Sequence, residues 1–173
     1  MSNSAPDSVQ GNEINSGGEQ GITQYLTPGR IAIDLHVASK KRLLEEVAAL
    51  LLKDQSGLDK ETVFQVLFER ERLGSTGIGY GVALPHGRVN GIDEPILAVA
   101  KLRRPLDFDA PDQQPVELII ALLVPADATQ THLQLLAALA SLLNQEEVRT
   151  GLSNAAHADE VINWLGKNTE SKS

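Results

Sequence analysis

The sequence predicts a single α/β domain built on a mixed sheet with helices on both sides, and three observations carry that prediction. Apolar runs of strand length alternate along the chain with stretches whose apolar residues recur at helical spacing. One run, Val116 to Val124, is almost uninterrupted, as a central strand covered on both faces is. A length of 173 residues with 42% apolar content suffices for one well-packed core and falls short of two comfortable ones.

The elements follow in order. Residues 1–20 are rich in Ser, Asn, Gly, Gln and Glu and are expected to be a disordered tail before a domain over 21–166. Ile31 to Leu35 reads as a first strand, and Ser39 opens a helix whose apolar set Leu43, Leu44, Val47, Ala48, Leu50 and Leu51 keeps the i, i+3, i+4, i+7 rule. Asp59 is the expected N-cap of a second helix, with Leu58 and Val63 as a staple across it and an end near Leu73. After a glycine-rich loop, Val82 to Leu84 is an extended segment leading into His86. Ile96 to Leu102 and Val116 to Val124 are longer strands, joined by a connection holding Leu106, Asp107, Phe108, Asp109, Pro111 and Pro115. Asp127 or Thr129 is expected to cap a helix running to Leu143, a last helix spans about Asp159 to Leu165 with Trp164, and 167–173 is a polar tail.

Charge and composition exclude several functions. A formal net charge of -8 opposes nonspecific attraction to nucleic acid or an anionic membrane and favours a basic protein partner. Without cysteine there is no thiol nucleophile, thiolate metal site or disulfide. No apolar run approaches the roughly 18–20 residues of a membrane span, and no hydrophobic leader follows Met1, so membrane insertion is not expected and the cytoplasm is.

Chemistry concentrates at Arg70 to Arg88. His86 stands between Pro85 and Gly87 after a loop with four glycines, set by a rigid residue and flanked by one that lets another molecule's backbone approach. His132 precedes Leu136, Leu139 and Leu143 at helical spacing, which puts it on an inward face in a first turn. There it either favours a nearby anion or bonds a backbone carbonyl. Arg70 and Arg72 either complement a helix dipole or, placed before Gly74, Ser75, Thr76 and Gly77, one of them directs a planar fork at phosphate oxygens beside loop amides and hydroxyls. No Lys-Ser or Lys-Thr closes this loop, so it is not a nucleotide-triphosphate loop. Together these residues describe a phosphoryl site with a neutral imidazole as nucleophile, without metal or cofactor. His36 and His157 have no neighbouring motif and read as solvated.

The run Gly74 to Gly79 through Leu84, Pro85, His86 and Gly87, with Leu123 to Asp127 and Thr131, His132, Leu133, resembles the IIA domain of the bacterial phosphoenolpyruvate-dependent phosphotransferase system. It resembles the fructose and mannitol type, and most of all its nitrogen-regulatory branch, over about Tyr25 to Trp164. The resemblance implies that His86 takes a phosphoryl group on its tele nitrogen from the phosphohistidine of a small HPr-like carrier. It puts Arg70 and His132 at the family's active-site arginine and second histidine, and implies regulatory target proteins. Other readings are a sugar-specific IIA component serving a IIB domain, a module that binds an anion or partner without chemistry, and a hydrolase using Ser75 with His86. The last lacks a Gly-x-Ser-x-Gly elbow and an acid partner.

Overall fold

A computed structural model describes residues 21–167; the tail expected at 1–20, and all of the C-terminal one but Lys167, lie outside them. Two 3-10 turns, Gly21–Tyr25 and Pro28–Arg30, lead into β1 (Ile31–Leu35). Helix α1 (Lys40–Leu51) starts where the Ser39 side chain accepts from the Arg42 N–H, and α2 (Lys60–Leu73) where Asp59 accepts from that of Thr62. Strands β2 (Gly77–Gly79), β3 (Val82–Ala83), β4 (His86–Val89), β5 (Ile96–Leu106) and β6 (Val116–Pro125) come next. Helices α3 (Thr129–Leu143), α4 (Glu146–Asn154) and α5 (Ala158–Gly166) complete the described chain.

The strands form one mixed sheet in the order β1-β5-β6-β3-β2, with β4 also paired to β6. β5 and β6 run antiparallel at its centre, while β1 joins β5, and β3 and β4 join β6, in parallel. Alternation along the central strands divides the core in two. Ile119, Ala121 and Leu123 of β6 pack with α1 and α2 residues such as Leu44, Val47 and Leu67. Leu118, Ile120, Leu122 and Val124 pack with Leu139, Leu143, Leu152 and Val161 of α3, α4 and α5. A period of two on a strand buried on both faces yields helices on both sides, as the sequence predicts.

Several local expectations are corrected. The glycine segment at 77–79 is a strand, hairpinned to β3 through Gly79, Tyr80 and Gly81, whose φ angles are +96°, +61° and +80°. β5 extends through Leu106, which the sequence reading gave to the connection. Helix α4 is an additional element after α3. Neither Asp127 nor Thr129 caps α3: its N-cap is Ala128, with no side-chain cap.

β3 and β4 lie in one register against β6, with Val82 opposite Leu118, Ala83 opposite Ile119 and His86 opposite Leu122. They are a single line interrupted at Leu84 and Pro85; Pro85 has no N–H to donate, but its carbonyl still accepts from the Leu122 N–H at 3.0 Å. Val82 and Leu84 belong to the α3 layer of the core and Ala83 to the α2 layer. The same parity directs His86 and Arg88 towards α3 and Gly87 towards α2. Gly87 therefore does not serve another molecule's approach: a Cβ there would lie 2.3 Å from Val66 Cγ1 of α2.

This contact predicts that Gly87→Ala lowers stability by roughly 1–3 kcal/mol through overpacking. Adding Val66→Ala should return part of that loss, giving a favourable coupling in a double-mutant cycle of urea unfolding. Strictly additive losses would contradict the clash.

Candidate active site

His86 opens β4 and is half-buried behind the buried pair Leu84 and Pro85. Its Nδ1 lies 2.7 Å from the Leu84 carbonyl oxygen. A carbonyl only accepts, so Nδ1 carries the proton and Nε2 is left with the lone pair. Burial pushes the His86 pKa below its ordinary value of 6.5; the Leu84 bond opposes this, Arg70 adds to it, and Glu71 opposes it.

The His132 ring lies with its centroid 5.2 Å from that of His86, at an interplanar angle of 65°. Its Nε2 is buried with no hydrogen-bond partner among the described residues, so the carbonyl-bonded alternative does not apply to that nitrogen. Burial, then the charge of His86 and that of Arg88, hold the His132 pKa below the ordinary value. Both imidazoles are thus biased to the neutral form. Thr129, the first residue of α3, accepts at its hydroxyl from Arg88 Nη1 at 2.7 Å, which ties β4 to the helix end and leaves that hydroxyl uncommitted to capping. Sequence reasoning did not include Arg88 in the site.

The two arginines separate. Arg70 acts electrostatically on His86 while its Nη1 donates to the Gly74 carbonyl at 2.8 Å, closing the turn after α2. Arg72 is exposed and pairs along the helix with Glu69 at 3.0 Å, as a solvated charge does.

The glycine loop departs from its expected role. The Gly74 N–H donates to the Glu71 carbonyl, the Thr76 N–H to the Glu71 carboxylate and the Gly77 N–H to Ser75 Oγ, so three of its four amides are bound inside the protein. Both hydroxyls are also committed: Ser75 Oγ donates to the Phe108 carbonyl at 2.9 Å, and Thr76 Oγ1 to Glu71 at 2.6 Å. Ser75 is therefore not a nucleophile activated by His86. The loop is a brace whose organiser, Glu71, was missed. A signal for it existed, since Val63, Leu67 and Glu71 share the inward face of α2. His36 and His157 are exposed.

With this geometry established, comparison with known proteins identifies the class. Residues 24–168 match the family described as phosphoenolpyruvate-dependent sugar phosphotransferase system, EIIA 2, and the chain belongs to that family. The nitrogen regulatory protein of Pseudomonas aeruginosa is 46% identical over 138 residues, covering 80% of this chain and 90% of the relative. The fructose-specific EIIA component of Haloferax volcanii is 32% identical over 140 residues, covering 81% and 91%. Among solved structures, the nitrogen regulatory protein IIA-Ntr from Neisseria meningitidis aligns with a TM-score of 0.79 at 46% identity, covering 83% of this chain and 98% of that one.

The depressed histidines predict a pH dependence of stability. Between their folded pKa values and about 6.5 the unfolded chain binds more protons than the native one, so this contribution is complete above about pH 6.5 and is lost as pH falls through that window. The two rings interact, so the steps belong to the pair. Between about pH 7.5 and pH 5.5, the wild-type urea midpoint should fall further than that of the His86→Gln, His132→Gln double variant. Parallel curves would contradict the assignment.

Proposed function

We propose that this chain is a cytoplasmic phosphocarrier of the nitrogen-regulatory branch, taking a phosphoryl group on His86 from the phosphohistidine of an HPr-like carrier. The observation that carries the reading is the Leu84 carbonyl on Nδ1, which leaves Nε2 as the only nucleophilic nitrogen of that ring. The Nε2 lone pair attacks phosphorus as the donor's N–P bond breaks, and the donor imidazole keeps that electron pair. No metal and no proton transfer is needed. Phosphoryl transfer asks mainly for position and charge stabilisation.

The arriving group brings about two negative charges. The His132 Nε2, without a partner among the described residues, is suited to donate to a phosphoryl oxygen, and Arg70 to balance its charge. The uncapped start of α3 adds favourable potential. Leu73 at the end of α2 and Leu133 next to His132 are 85% and 62% exposed, apolar surface on which the carrier would dock. The 46% identity to a nitrogen regulatory protein, against 32% to a fructose-specific component, favours regulation of target proteins over supply of a sugar-specific IIB domain.

Incubation with phosphoenolpyruvate, Enzyme I and the HPr-like carrier should add one acid-labile phosphate by intact mass. His86→Ala should add none and remain folded. A phosphate on that variant would assign another acceptor, and none on wild type would leave the reading of a binding module without chemistry.

Single-turnover rates resolve the neighbours. His132→Gln can still donate one hydrogen bond and His132→Ala cannot, so the order expected is wild type, then Gln, then Ala. Arg70→Lys keeps charge and loses the fork, slowing transfer about tenfold for each ~1.4 kcal/mol lost, while Arg72→Lys changes little. Equal effects at Arg70 and Arg72, or wild-type rates in both His132 variants, would remove those roles.

A further inference from the structure

Glu71 has no part in the transfer just described, yet its carboxylate is buried beside the site, with its side chain 4% exposed. We propose that Glu71 is a positioning residue which, held by Lys40, fixes the segment at Thr76 and through it the ring orientation and tautomer of His86. The proposal rests on the phosphocarrier reading only for its catalytic consequence.

A continuous series of contacts links the two side chains. Lys40 Nζ is 2.9 Å from Glu71 Oε2. Glu71 Oε1 accepts from Thr76 Oγ1 at 2.6 Å and from the Thr76 N–H at 3.1 Å. The Thr76 carbonyl accepts from the Leu84 N–H at 2.9 Å, and the Leu84 carbonyl accepts from His86 Nδ1–H at 2.7 Å. Two bonds from one carboxylate oxygen to the hydroxyl and amide of the same residue constrain Thr76 at both ends of its N–Cα–Cβ unit. Its carbonyl is thereby aimed at Leu84. Leu84 then donates from its N–H to Thr76 and accepts at its carbonyl from His86, so the peptide units on either side of its Cα are each held by one bond.

The series needs an ionised acid. Gln at 71 would keep one oxygen for Thr76 but turn an amide N–H₂ towards Lys40, whose ammonium also lies 4.6 Å from the Phe108 ring centroid and 3.6 Å from Asp109. A buried carboxylate without its cation is unfavourable, so Lys40 is part of the device. Glu71 also acts from its backbone: its carbonyl accepts from the Gly74 N–H, and the Gly74 carbonyl accepts from Arg70 Nη1. One residue thus supports the turn that Arg70 bonds and the segment that leads to the histidine.

The test uses the full chain labelled with nitrogen-15. Long-range proton–nitrogen correlations report the His86 tautomer, and single-turnover transfer from a phosphorylated HPr-like carrier reports the rate. Wild type should be a single Nδ1–H tautomer. Glu71→Gln should become a mixture and transfer about tenfold or more slowly, whereas Glu71→Asp should recover part of both. If Glu71→Gln does not fold, Lys40→Met and Thr76→Val test the same series. A lowered melting temperature with unchanged tautomer and rate would make Glu71 merely structural and overturn the proposal. A wild type that accepts no phosphate while Glu71→Gln still alters the tautomer would overturn the phosphocarrier reading and support the positioning role.

Discussion

The structure depends first on the two-sided burial of β6. Each of its central residues is committed to one of two helical layers, so a slip of one position would exchange Ile119, Ala121 and Leu123 for Leu118, Ile120 and Leu122 in both layers at once. Such a strand has one register. Everything paired to it inherits that register, including the interrupted line of β3 and β4. The direction of His86 is therefore not a loop conformation that local sequence must hold. It is a consequence of which face of the sheet an even step from Val82 reaches.

Within that frame Pro85 and Gly87 have distinct tasks. Pro85 accepts from β6 without donating, so the ladder continues while its own nitrogen asks for no partner. Gly87 lets Val66 come close on the α2 side, so the strand bearing His86 is held from behind by a packed helix. Strand parity turns the imidazole towards α3, and the missing side chain at Gly87 lets α2 pack closely on the opposite face. In this Pro-His-Gly sequence the glycine is therefore a packing residue.

Most of this frame was legible because it is periodic. The helical spacing from Leu43 to Leu51 and the unbroken run from Val116 are strong signals that tertiary packing reinforced. The extended segment at Val82 was legible as the lead into His86, but β2 holds three residues, too few for alternation to register, and its turn into β3 uses Tyr80 at φ +61°, where glycine would be the expected residue. The N-cap of α3 was misassigned because propensity cannot know that Arg88 engages the Thr129 hydroxyl from another strand. His86, His132 and Arg70 were singled out by residue type and placement, and the structure brings the two rings together with Arg70 acting electrostatically on His86. The glycine loop was misread for a related reason: glycine and hydroxyl residues before a histidine resemble an anion cradle. Only the fold reveals that Glu71 already occupies the position an external anion would take on the Thr76 amide and hydroxyl.

That substitution of an internal carboxylate for an external anion explains how the site divides its charges. Glu71 binds loop donors on one side of the His86 strand and is matched there by Lys40. Arg70 and Arg88 are left to act on the imidazoles, depressing the pKa of His86 and of His132 respectively, with burial as the larger cause in each. A positive surround weakens a nucleophile by attracting its electrons, but here, together with burial, it also disfavours the protonation that would occupy the Nε2 lone pair. In the proposed phosphorylated state, the same cations and the start of α3 would stabilise the added charge without moving. One electrostatic arrangement favours the neutral imidazole and would balance the charge of the proposed phosphorylated one. The internal ion pair of Glu71 and Lys40 keeps the loop's own donors from competing for that group.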